Sequence, residues 1–202
     1  MVCLCEPRCF SGRSNLSLSE RLPRRTEALL AETWFSKFYL FPLLALLRDL
    51  IRTIDQHLDH TIQEAMLVDE ADNFGYFDRT EHIIGLGFVA CQTYMSSVYG
   101  YYKIKKQRAL SIGPSHSGGL TKAQIINHAA NYWKHNSEWL FDKNGKQRKY
   151  IEDAFESVGF PVNTDYPLSG VLTEIVFPEF AAFNPILKIL ESWRDEIYKT
   201  YT

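Results

Sequence analysis

No stretch of this chain is long and apolar enough to cross a bilayer. The nearest candidate, Phe38 to Leu47, ends after ten residues, contains Pro42 and runs into Arg48-Asp49. A buried helix segment fits it better. The N-terminus has neither a continuous apolar core nor a small-residue cleavage site, so the expectation is a cytoplasmic protein with no membrane association. Cysteine is scarce: there are four, with Cys3, Cys5 and Cys9 crowded at the start and Cys91 alone in an apolar segment. That is no disulfide framework. The Cys-x-Cys-x3-Cys cluster also lacks a fourth ligand for a closed zinc site. No glycine-rich phosphate loop and no internal repeat occur. Neither a metal nor a cofactor is expected. Charge excess is missing too: a formal net charge of −2 makes no global case for nucleic acid or an acidic substrate.

Apolar residues are plentiful. A hydrophobic share of 46% is ample for a core, and 202 residues suit one domain with a terminal extension. The start of the chain mixes serines with arginines and reads as a disordered tail over 1–24, leaving a single helical domain over 25–202. From Glu27, apolar residues recur at helical spacing through Phe41, and again from Leu43 to Met66, with Pro42 kinking this segment or opening a second helix. His57, His60 and Glu64 share a face there, which reads as solvated. Asp78 to Glu81 resembles a helix cap. The helix after it, to about Tyr102, is apolar nearly all round and is therefore expected to be central. Gly85 and Gly87 inside it predict close approach by a neighbouring backbone, and Gln92, if buried, needs an internal partner.

Residues 109–120 read as a loop. Beyond Gly145 the pattern predicts a short helix over 148–158 and another over 171–177. A last helix runs from Asn184-Pro185 toward Tyr198. The fold class is all-α, a compact bundle of about five to seven helices. Local charge is uneven. Residues 48–82 hold nine acids against three arginines, whereas Lys103 to Arg108 carries four positive charges and no acid. Asp142 to Lys149 is basic as well, and these two runs could together meet phosphate.

Chemistry concentrates in Ile125 to Trp139. Thr121-Lys122-Ala123-Gln124 is a capping box, with Leu120 and Ile125 spaced as a staple across it. Asp142 to Gly145 offers the stop. At 3.6 residues per turn, His128 and His135 fall on one line. Gln124, Asn131 and Glu138 lie beside them, Asn127 at the outer edge, and Tyr132 and Trp139 on the border. Lys134 is read as pointing away. A histidine at such a polar–apolar boundary can be partly desolvated yet reachable, as proton transfer near neutral pH requires.

The central apolar helix, the loop, and the capped helix carrying Asn-x-x-Lys-His at Asn131 to His135 resemble the HEPN superfamily over roughly residues 27–142. That superfamily comprises compact helical bundles of bacterial toxin–antitoxin and defence systems. The resemblance implies a metal-independent endoribonuclease acting on RNA, a homodimer, and a protein partner such as an antitoxin. It makes His135 the general acid or base, His128 the donor of charge to phosphate, and Asn131 the group that orients the scissile phosphate. Glu138, Gln124 and Tyr132 would contribute to binding. Where the superfamily carries an arginine, this chain has His128, Ala129 and Ala130, and histidine lacks arginine's permanent charge and planar fork. Two further readings stay open. One is a non-catalytic helical module binding a protein or nucleotide, and the other is a purely structural domain.

Overall fold

The computed structural model describes residues 24–116, 119–140 and 145–201, with side chains from Leu40 onward except Leu140. The tail expected over 1–24, with Cys3, Cys5 and Cys9, lies outside the described residues apart from Arg24. The described chain is all-α. Its seven helices are α1 (Arg24–Ala65), α2 (Tyr76–Tyr101), α3 (Lys106–Leu110), α4 (Lys122–His135), α5 (Lys146–Ser157), α6 (Pro167–Val176) and α7 (Asn184–Tyr201). A 3-10 turn, Asn136–Leu140, follows α4. No described helix is long and apolar enough to cross a membrane.

The pair of helices expected on either side of Pro42 is one helix, with the proline inside it. Its core stripe is Leu40, Leu44, Leu47, Ile51 and Leu58, spaced by turns of the helix. Phe41, Leu50 and Ile62, read as part of the apolar face, are exposed instead. Central position belongs to α2, which packs chiefly against α1 and α4 and also touches α3, α6 and α7. Phe88, Cys91 and Val98 on it are wholly buried. Its glycines admit aromatic rings rather than a neighbouring backbone. A Cβ on Gly85 would stand 1.8 Å from Trp133 Cδ1, and one on Gly87 would stand 2.3 Å from Phe183 Cζ.

Two helices begin on carboxylates borrowed from elsewhere in the chain. Tyr166, just before α6, is left-handed (φ 54°) and offers no side-chain cap. Glu81 of α2 fills that role. Its carboxylate accepts from the Leu168 amide at 2.6 Å, the Ser169 amide at 3.0 Å and the Ser169 hydroxyl at 2.6 Å. So Glu81 does not cap its own helix, which already begins at Tyr76. Likewise Asp55 of α1 accepts from the amides of Phe183 (2.7 Å) and Asn184 (2.9 Å) at the start of α7. Burial raises the Asp55 carboxyl above its usual value, against the pull of those amides. Negative charge is favoured at a helix N-terminus, where unpaired amides converge. Glu81→Gln keeps one acceptor oxygen of two and loses the charge. We expect it to cost about 1 kcal/mol, read as a lower urea midpoint at unchanged slope.

Midway along α7, Trp193 is wholly buried and donates to the Ala109 carbonyl at 2.9 Å, tying the helix to α3. That short helix carries the end of the basic run and reaches two residues into the loop expected over 109–120. The end of the positively charged run, residues 106–108, is therefore helical, and Lys106 lies across a cleft from α4.

Candidate functional site

The capping box opens α4. Gln124 N donates to Thr121 Oγ1 (3.1 Å) and Thr121 N donates to Gln124 Oε1 (2.8 Å). The Thr121 hydroxyl also donates to the Leu110 carbonyl, so the same threonine holds α3 against the start of α4. A cleft of about 520 Å³ lies among α3, α4 and α5. Gln124, Asn127, His128 and Asn131 of α4 form one wall. Opposite stand Lys106 and Gln107 of α3, with Gln147 and Tyr150 of α5. Among the described residues no carboxylate lines it.

Beneath that wall is a buried amide network. Gln92 of α2 donates through Nε2 to Asn127 Oδ1 (2.8 Å) and to Asn131 Oδ1 (2.9 Å). Its Oε1 accepts from Lys134 Nζ at 2.6 Å. The internal partner that the sequence demanded for Gln92 is therefore the asparagine side of the stripe, with a lysine added. Lys134 follows Asn127 by seven residues, so it shares that residue's line on the helix and does not point away. It is anchored to the network beneath the cleft wall rather than lining the cleft itself.

His128 is half-buried, and its Nδ1 is shut from solvent with no hydrogen-bond partner among the described residues. A buried lone pair without a donor is better tolerated than a buried N–H without an acceptor. The neutral ring therefore carries its proton on Nε2. Burial first, and then the nearby Lys106 ammonium, hold the imidazole below its usual value. Lys134 is also lowered, by burial and then by Lys106, and Lys106 by burial. Positive charge thus comes from Lys106 in the cleft lining and from Lys134 on the amide network, while His128 favours its neutral form. The linkage has a definite sign. Below the ordinary imidazole value of 6.5 the unfolded chain binds a proton here that the folded chain resists. Stability then falls with falling pH through that window. His128→Gln should flatten this slope below about pH 6.5, measured as urea midpoints between neutral and mildly acidic pH.

Other candidate residues lie apart from the cleft lining. His135 ends α4 half-exposed, with Nδ1 3.1 Å from Glu138 Oε2. Glu138 is not on the helical wheel at all. The α-helix stops at His135 and the chain tightens into the 3-10 turn, which folds the carboxylate back onto the ring. The Tyr132 ring packs 5.5 Å from Trp139 and 5.0 Å from Phe155, within an aromatic cluster covered by Arg148 on Trp139. Only His128, Asn131 and Gln124 of the expected site meet in the cleft. His60 Nδ1 lies 3.4 Å from Glu64, which also faces Arg79 at 3.7 Å; that is a surface ion-pair chain. Among the described residues no group of three or more metal-ligating side chains comes together.

Sequence reading passed over Lys106, Lys134, Gln147 and Tyr150 as site residues. The first lay in a recognised basic run, and the second was legible from its seven-residue spacing. Of the α5 pair, Gln147 falls inside the basic run 142–149 and Tyr150 directly after it, but their place in the cleft depends on the packing of α5 against α4. No family model matches this chain, and comparison with curated proteins and with solved structures gives no match.

Proposed function

We propose that the chain is a HEPN-like helical domain that binds RNA by a phosphate group in the α3–α4–α5 cleft. The observation that carries this reading is the lining itself: Lys106 and a neutral His128 among amide side chains, with no carboxylate among the described residues. An anion there would relieve the repulsion that Lys106 exerts on Lys134. It would accept from the His128 Nε2–H and from the free amide donors of the wall. Tyr150, 67% exposed at the rim, is placed to stack on an unpaired base.

The test is fluorescence anisotropy with a labelled single-stranded RNA oligonucleotide at several salt concentrations. Lys106→Ala and Lys134→Ala should each weaken binding about tenfold and lower the salt slope by about 1. Tyr150→Ala should weaken binding with the slope unchanged. Binding that ignores all three substitutions would remove the cleft as its seat.

A second reading, metal-independent RNA cleavage, rests on the His135–Glu138 pair. A carboxylate on Nδ1 orients the ring and leaves Nε2 for proton transfer. His135 would then work with Asn131 and His128 on RNA held in the cleft, and a second protomer would supply the facing site. Chelator-resistant cleavage abolished in His135→Ala, with folding retained, would favour it. Binding without products favours the first reading.

A further inference from the structure

A second depression, of about 380 Å³, lies where the end of α1 meets the starts of α2 and α6, and it shares no lining residue with the cleft. Ile62, Met66, Phe77 and Tyr166 shape it. Met66 is 80% exposed and Phe77 42%, and Leu67 and Phe74 in the adjoining turn are exposed as well. The Phe77 and Tyr166 rings meet edge to face at 5.6 Å, which holds the groove open as a shaped surface. Apolar side chains gathered this densely on a surface mark a contact region, unlike single scattered ones.

The rim is acidic. The Tyr166 hydroxyl donates to Asp72. That bond first, then burial and the neighbouring charges of Asp72, Asp78 and Asp165, push the phenol up to about 12. Asp69 and Glu70 are exposed in the same turn. Arg79 is engaged with Glu64 and with the Tyr76 ring, so it does little to offset the acids. An apolar floor inside a negative rim complements one kind of segment, a helix with an apolar stripe and basic flanks. An anionic lipid surface would meet like charge here.

We propose that this groove docks a basic amphipathic helix of a partner protein, with apolar side chains among Ile62, Met66 and Phe77 and lysines or arginines against Asp72, Asp78 and Asp165. The reading does not depend on RNA binding, which concerns other residues.

The test uses the full chain and a labelled amphipathic peptide about sixteen residues long, with leucine at every third or fourth position and lysine between. Two controls accompany it: the same peptide with glutamate for lysine, and the same with serine for leucine. Saturable one-to-one binding of the leucine–lysine peptide is expected, with both controls at least about tenfold weaker. Met66→Asp, at a position exposed enough to leave folding intact, should weaken it about tenfold. Asp78→Asn with Asp165→Asn should leave residual binding with a flatter salt dependence. Four results would overturn the proposal. They are no binding, equal binding of either control, indifference to Met66→Asp, and a concentration-dependent self-association that Met66→Asp dissolves, since the occupant would then be a second copy of this chain.

Discussion

Gln92→Leu is expected to lower stability by about 2–4 kcal/mol and to weaken ligand binding at the cleft at the same time. Leucine is close to glutamine in size, so the core around α2 loses little packing. What it removes is the donor that satisfies Asn127 and Asn131 and the acceptor that holds Lys134. Asn127 is buried, so its freed oxygen has no water to turn to, and an orphaned buried polar group costs about 1–3 kcal/mol. Asn131 is only half-buried and Lys134 is exposed, so hydration recovers part of their loss. Gln92→Glu is the informative companion. Turning both asparagine amides over lets them donate to the carboxylate, which Lys134 already faces, and most of the stability should return. Urea denaturation of the three proteins measures the stability effect, and the anisotropy titration measures binding. A leucine variant as stable as the parent would mean that the network does not hold α2 and α4 together.

Gly87→Ala should destabilise the fold by about 2 kcal/mol, although alanine is the better helix former by about 1 kcal/mol. The added methyl would stand 2.3 Å from Phe183 Cζ. Phe183 cannot step aside cheaply. It is wholly buried, its ring packs 5.2 Å from Phe88, and its amide is held by Asp55. The clash therefore spreads to the junction of α2, α1 and α7. Phe183→Leu on its own opens a cavity and destabilises. Combined with Gly87→Ala it should recover stability relative to either change alone, because the methyl fills part of the space the ring vacates. Gly85→Ala meets Trp133 even more closely, yet that ring is partly exposed and can swing outward. Its cost should be smaller. Thermal melts of the four variants rank these effects, and a stabilising Gly87→Ala would contradict the packing described.

Much of the architecture was legible in advance because it rests on local physics. The α4 cap was visible in Thr121 and Gln124 because a capping box closes within four residues. The core position of α2 followed from apolar side chains on every face. The need of Gln92 for a partner followed from its position in that helix. Three local inferences failed for one shared reason. Glu81 looked like part of its own helix cap, the α2 glycines looked like a backbone crossing, and Glu138 looked like a continuation of a straight wheel. In each case a residue distant in sequence, or a tightened last turn, decided the outcome, and neither leaves a periodic trace.

Periodicity and end signals, which act within a turn or two of helix, were enough to specify an all-helical chain and the polar stripe on α4. Which members of that stripe share a cleft was decided by the docking of α3 and α5, whose lysine, glutamine and tyrosine lie outside it in sequence. The protonation of His128 was set by the same packing. Burial and the Lys106 charge act through space, so the imidazole is held below its ordinary value by its neighbours in three dimensions rather than its neighbours in the chain.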